Sequence, residues 1–145
     1  FCGVGTMLIE RDRLVAAKDM YGTDIFGEAI AGARENAALA GREIIFINRD
    51  FFDFKHEYLF DEIVSDMPVK GKKTREEQSS FYEKFFEKAA GHLKENGIMI
   101  LYSNEIGFIK RQMRVDKRFC LRKEYLMREK DGYYLFIIEF KGDIA

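Results

Sequence analysis

Four places in this 145-residue chain carry residue types that do chemistry. The first is Gly3-Val4-Gly5-Thr6, ahead of an amphipathic run. Glycines let backbone come close to a ligand, and the start of the helix that follows offers free N–H groups to an anion. The same four residues also fit a plain turn joining strand to helix. A dinucleotide fingerprint needs a third glycine at position 8, where Leu8 stands, which argues against NAD and FAD. The second place is Asp24, 19 residues after Gly5. An acid at that distance accepts hydrogen bonds from both ribose hydroxyls of a nucleoside, or else caps the next helix. The third is Asp50, which could accept from an adenine amino group with Phe51 beside the ring, or be a polar loop residue. The fourth is Ser65-Asp66-Met67-Pro68. A carboxylate and a proline-ordered carbonyl at a strand end can grip an exocyclic amine, and ligands of open α/β sheets sit at such ends. A turn that merely ends a strand is the alternative.

These groups need elements to hold them. Short apolar runs alternate with amphipathic ones, the pattern of a parallel sheet with crossover helices. A helix is expected over 6–18, then a strand over 20–24. A helix over 27–41 follows, with Phe26, Ile30, Ala33, Ala37 and Ala40 as one buried stripe and Gly41 as its stop. Ile44 to Ile47 reads as a strand covered on both faces, and 61–65 as another. Ser80 and Glu83 predict a capping box for a helix over 80–96, with Tyr82, Phe85, Phe86, Ala89 and Leu93 as its apolar face and Asn96-Gly97 as its end. A strand at 98–102, a helix at 105–117, and strands 119–128 and 133–141 around Asp131-Gly132 complete the chain. The sheet should therefore end in an antiparallel hairpin.

Hydrophobic residues make up 47% and charged residues 34%, a balance that builds a core and excludes disorder. The net charge of −1 gives no domain-wide attraction to nucleic acid. Any RNA binding must come from a local patch or from a partner domain. Lys70, Lys72, Lys73 and Arg75 follow the Asp66 loop; Lys110, Arg111, Arg114, Lys117 and Arg118 form a second cluster at helical spacing. Runs like these are also ordinary solvated faces. Two cysteines make no disulfide framework, so a reducing, cytoplasmic setting is expected. His56 and His92 have no ligand-spaced partners, so no metal is expected. No apolar run approaches the roughly 20 residues of a membrane span.

Together the pieces resemble a known family. Phe1-Cys2-Gly3-Val4-Gly5-Thr6-Met7-Leu8-Ile9-Glu10 resembles the cofactor loop of THUMP-associated RNA methylases, a class I methyltransferase group. Tyr21-Gly22-Thr23-Asp24, Ala29-Ile30, Ala33-Arg34-Glu35-Asn36-Ala37 and Ala40-Gly41 resemble its second block. The resemblance implies a Rossmann-like α/β fold and S-adenosylmethionine as cofactor. It puts Gly3, Gly5 and Thr6 against the methionine part, Asp24 on the ribose and Asp50 on the adenine, with Cys2, Ile25, Phe51 and Asp66 completing the cofactor set. It makes Asp66, Met67 and Pro68 catalytic and residues 1–145 one methyltransferase domain; by their place after that loop, Lys70, Lys72, Lys73 and Arg75 are the better-placed candidates for contact with RNA. The leading Asp66 is similar to the tRNA guanine-N2 methylases of the group rather than to adenine-N6 enzymes. The family's aromatic after the proline is replaced by Val69, so another ring, such as Phe52 or Tyr82, must stack on the base, or the site is altered. The implied reaction is methylation of guanine N2 in tRNA, with rRNA, adenine N6 or a non-catalytic binding module as the alternatives. In this fold a central strand leads into the glycine loop, so the natural protein is expected to continue upstream with that strand and an RNA-binding domain.

Overall fold

In the computed structural model, which describes residues 1–143, Gly5 turns directly into the helix α1 (Thr6–Leu14). This helix is shorter than the expected 6–18. Val15 is extended, and the buried Asp12 turns its Oδ1 to accept the Ala17 N–H at 3.0 Å, giving the chain a competing partner that ends the helix. The strand β1 (Tyr21–Asp24), the helix α2 (Gly27–Leu39) and the strand β2 (Ile45–Asn48) follow. Ile30, Ala33 and Ala37 are the buried stripe of α2. Phe26, 67% exposed, is only the residue before the helix, and Ala40 is exposed at its end, so neither joins the stripe. Gly41 adopts φ 66°, and the Gly41 and Arg42 N–H groups close back on Ala38 and Ala37, which seals the helix end.

β1 and β2 pair in parallel, Tyr21 opposite Ile45 and Asp24 opposite Asn48. Only Phe46 of β2 is buried, and Ile45 is 53% exposed, which corrects the expectation of a strand covered on both faces. An apolar run states what could be buried, not which side finds a neighbour. Phe46 joins Ile9, Ile30, Ala33 and Ala37 in the core of this first compact unit, Phe1–Lys55.

The second unit begins at His56. It contains the strand β3 (Phe60–Asp66), the helix α3 (Arg75–Ala90), the strand β4 (Leu93–Ser103), the helix α4 (Ile106–Val115), and the strands β5 (Phe119–Arg128) and β6 (Tyr133–Phe140). The strand order is β3-β4-β6-β5. β3 and β4 are parallel, while β4–β6 and β5–β6 are antiparallel, so the sheet does finish in the hairpin. α3 starts and stops earlier than the expected 80–96. Its capping box is Thr74 with Glu77, and Gly91 ends it. Thr74-x-x-Glu77 has the same signature as Ser80-x-x-Glu83, one and a half turns upstream, and it adds the turns that bury Gln78. Leu93 and Asn96-Gly97 consequently belong to β4, where Asn96 takes φ 67° beside a break in the β3–β4 register. Tyr82, Phe85, Phe86 and Ala89 are buried as expected. No helix among the described residues is long and apolar enough to cross a membrane.

Candidate functional site

The glycine turn is built by backbone conformation. Gly3 and Gly5 hold φ 55° and 83°, a region that L side chains rarely enter. The Cys2 N–H donates to the Thr23 carbonyl at 2.9 Å, and the Gly3 N–H donates to Asp24 Oδ2 at 2.9 Å, so the turn is laced to the end of β1. Asp24 is 9% exposed, and its other oxygen accepts the Phe26 N–H at 2.9 Å. Asp24 is not the N-cap of α2, which is Phe26; its carboxylate braces the residue before the helix and fastens the glycine turn. The β1–β2 register sets Asp24 beside Asn48, and Asp50 lies two residues further on. The turn and both acids therefore gather at the C-terminal end of this parallel pair, where α/β sheets present their ligands. Asp50 Oδ1 accepts the Phe52 N–H at 2.9 Å and starts a single 3₁₀ turn (Phe51–Asp53) that carries the half-buried Phe51. Thr6 and Ile25 are exposed beside these groups. Burial pushes the Cys2 thiol up to about 11, which removes it as a nucleophile at neutral pH.

In the second unit, Asp66 ends β3 opposite Tyr102 of β4. Asp66 is exposed, yet the atoms around it displace enough water to raise its carboxyl above the ordinary carboxylate range. The Met67 N–H donates to the Tyr102 carbonyl at 2.9 Å and Met67 is buried, so the backbone leading into Pro68 is pinned. Tyr82 cannot be the stacking ring: it is fully buried in α3 and shares a 2.8 Å hydrogen bond with Ser103. Lys70, Lys72 and Arg75 are exposed, while Lys73 reaches the Gln78 amide at 3.4 Å and lies 4.1 Å from the Phe81 ring centre. The second basic cluster does not form one helical face. α4 ends at Val115, Arg118 is bound to Asp116 and Glu87, and Lys110 pairs with Glu124.

The model of the methyltransferase small domain family matches residues 1–136. The chain belongs to this family. No curated protein matches it by sequence. Among solved structures, this methyltransferase small domain is similar to TrmN from Thermus thermophilus, with TM-score 0.80 and 24% identity over 97% of the chain. It spans 42% of the TrmN chain's length. It is also similar to an S-adenosylmethionine-dependent methyltransferase from Clostridium acetobutylicum (TM-score 0.77, 12% identity, covering 97% of this chain and 82% of that one). A third is an rRNA methylase from Streptococcus thermophilus (TM-score 0.74, 14% identity, covering 99% and 84%). The fold is the Rossmann-like class I methyltransferase fold, and its cofactor is S-adenosylmethionine.

The first unit of the methyltransferase domain fits that cofactor on its own geometry. α1 begins at Gly5 with no side-chain cap and no acid in its first turn, so its positive end is left for a carboxylate. A Cβ added to Gly3 would meet nothing within 4 Å, so the turn is open there. Asp24 has used one lone pair on each oxygen and keeps two for hydroxyl donors.

Gly5 answers a different need. A Cβ there would stand 2.8 Å from Phe46 Cζ and 3.2 Å from Ala33 Cβ. Gly5→Ala is expected to lose about 1–2 kcal/mol from the left-handed backbone alone, and more from the clash with Phe46. Gly3→Ala carries the backbone cost without the clash, so urea denaturation should rank Gly5→Ala as clearly the less stable variant. Equal midpoints would contradict the packing role. Residues missed from the sequence are Gly22, whose absent Cβ admits Phe46, and the pair Tyr102 and Tyr133 beside Asp66.

Proposed function

We propose that the chain is the catalytic domain of an RNA methyltransferase that methylates an exocyclic amine, guanine N2 in tRNA. The observation that carries this reading is Asp66: a carboxylate at the C-terminal end of a parallel strand, partly desolvated, ahead of a pinned Met67-Pro68 backbone. The likeness to an rRNA methylase supports RNA as the substrate class. When bound, S-adenosylmethionine supplies a methyl group that is already electrophilic. The chain's task is the nucleophile, whose lone pair is delocalised into the base. Asp66 accepts hydrogen bonds from the amine, draws its lone pair out of the ring and offsets the positive charge that develops on nitrogen. The Met67-Pro68 backbone orients the amine, and orientation supplies much of the remaining acceleration. A base in structured RNA must first be flipped out of its stack. Exposed Lys70, Lys72 and Arg75 are placed beside Asp66 in sequence to hold phosphate, which makes binding salt-dependent. An RNA-binding domain upstream would carry the rest of the affinity.

The test is mass analysis of tRNA nucleosides from a strain lacking the gene, followed by methylation of that tRNA with the full-length protein. N2-methylguanosine should be missing at one position and restored in vitro. Loss of N6-methyladenosine instead would reassign the target base, and an unchanged nucleoside profile in both tRNA and rRNA would end the RNA reading.

A further inference from the structure

The position after Pro68 is Val69, an aliphatic side chain 64% exposed, so this loop presents no ring next to Asp66. A planar ring held beside a carboxylate needs a flat apolar wall, because hydrogen bonds to one amine leave the ring free to pivot. Two other strands bring a pair of tyrosines close to Asp66. Tyr102 of β4 is the register partner of Asp66. Tyr133, the first residue of β6, stacks on Tyr102 with ring centres 4.8 Å apart and planes 21° from parallel. Both are only half-buried, unlike Tyr82, which is 0% exposed. The Tyr133 hydroxyl is held above its ordinary value first by lost water contact, then by the charges of Asp131 and Asp66 and by the Tyr102 phenol. The Arg128 guanidinium lies 5.6 Å from the Tyr133 ring centre and pairs with Asp131 at 3.1 Å, which holds the turn between β5 and β6 against the pair.

We propose that Tyr102 and Tyr133 form the wall against which the flat ring bearing the target amine packs, in place of the aromatic missing after Pro68. This rests on the reading of Asp66 as the group that grips that amine. The ligand it specifies is a planar heteroaromatic base, with Asp66 at the ring's edge and the outer face of the stacked tyrosine pair against its plane. Stacking of this kind tolerates any base, so the wall supplies binding and orientation while the edge contacts choose the base.

The experiment uses the full-length protein with S-adenosylhomocysteine or S-adenosylmethionine, and the variants Tyr133→Leu, Tyr102→Leu/Tyr133→Leu and Tyr133→Phe. Methyl transfer to tRNA from the deletion strain is followed as KM and kcat, and saturation-transfer NMR follows the base proton of guanosine 5′-monophosphate. Tyr133→Leu should raise KM for tRNA at least about fivefold, the lower end of what a lost base stack costs. The double variant should abolish saturation transfer to the base, and Tyr133→Phe should keep both signals. Should the double variant misfold, Tyr133→Leu at the strand end still decides the matter. Wild-type KM and saturation transfer in Tyr133→Leu would overturn the wall. Saturation transfer that is lost in Tyr133→Leu, from a protein that methylates no RNA, would uphold the wall and reject the RNA reading. A wild-type protein that neither methylates tRNA nor transfers saturation to the nucleotide would reject both.

Discussion

Replacing Asp66 with alanine should cut methyl transfer by about 10²–10³-fold while leaving the affinity for S-adenosylhomocysteine within a factor of two, because the carboxylate acts on the nucleophile's developing charge. The residue is exposed at the strand end, so folding should be unaffected. The acid side of the pH profile provides a second readout. Only the ionised form accepts both amine hydrogens, and desolvation raises the carboxyl above its ordinary value. Activity should therefore start to fall, as pH decreases, at a higher pH than an ordinary aspartate near 3.9 would give. Asp66→Asn keeps one acceptor and removes the ionisation, so it should retain slow turnover whose rate no longer depends on pH in that range. Calorimetric titration with S-adenosylhomocysteine beside the kinetics separates the outcomes. Full turnover in Asp66→Ala would exclude the residue from the chemistry, and a parallel loss of cofactor binding would make it a binding residue instead.

What the sequence could and could not reveal follows from the range of the forces involved. Glycines 3 and 5 were legible because left-handed backbone is a property of single residues, and both carry it. Asp24 and Asp50 were legible because strand ends are marked locally by the change from apolar to polar residues. The start of α3 was not, since Thr74-x-x-Glu77 and Ser80-x-x-Glu83 have equal local merit, and burial of Gln78 and Tyr82 against the rest of the unit decided between them. The face of β2 that is covered was hidden for the same reason. Tyr102 and Tyr133 lay beyond reach altogether: their stacking depends on β4 pairing with β6, and the sequence gives no register between strands so far apart. The second basic cluster looked like a helical face only while the helix was allowed to run past Val115.

Asp24 should be the residue on which cofactor binding depends most. Its two oxygens hold the Gly3 and Phe26 N–H groups at 2.9 Å each, so it is the clasp of the glycine turn, and we propose that it also contacts the ribose. Asp24→Ala leaves two part-buried donors without their partner, at up to about 1–3 kcal/mol each, and removes one of the ties between the turn and β1. The expected result is a lower urea midpoint without cofactor and a loss of S-adenosylhomocysteine affinity of at least about 100-fold. The two effects can be separated. Asp24→Asn keeps one acceptor oxygen, so it can hold one of the two N–H groups, but its amide hydrogens face the other. It should recover part of the stability while still losing most of the affinity, because the lone pairs left over for ribose hydroxyls fall from two to about one. If Asp24 were only a brace for α2, affinity would follow stability across both variants, and cofactor at high concentration would restore Asp24→Asn to wild-type turnover. Affinity that collapses in Asp24→Asn while the fold persists marks the carboxylate as a direct contact. The hydrogen bonds that shape the turn leave half of the carboxylate's lone pairs unused, at the C-terminal end of β1, the strand end at which α/β sheets receive ligands.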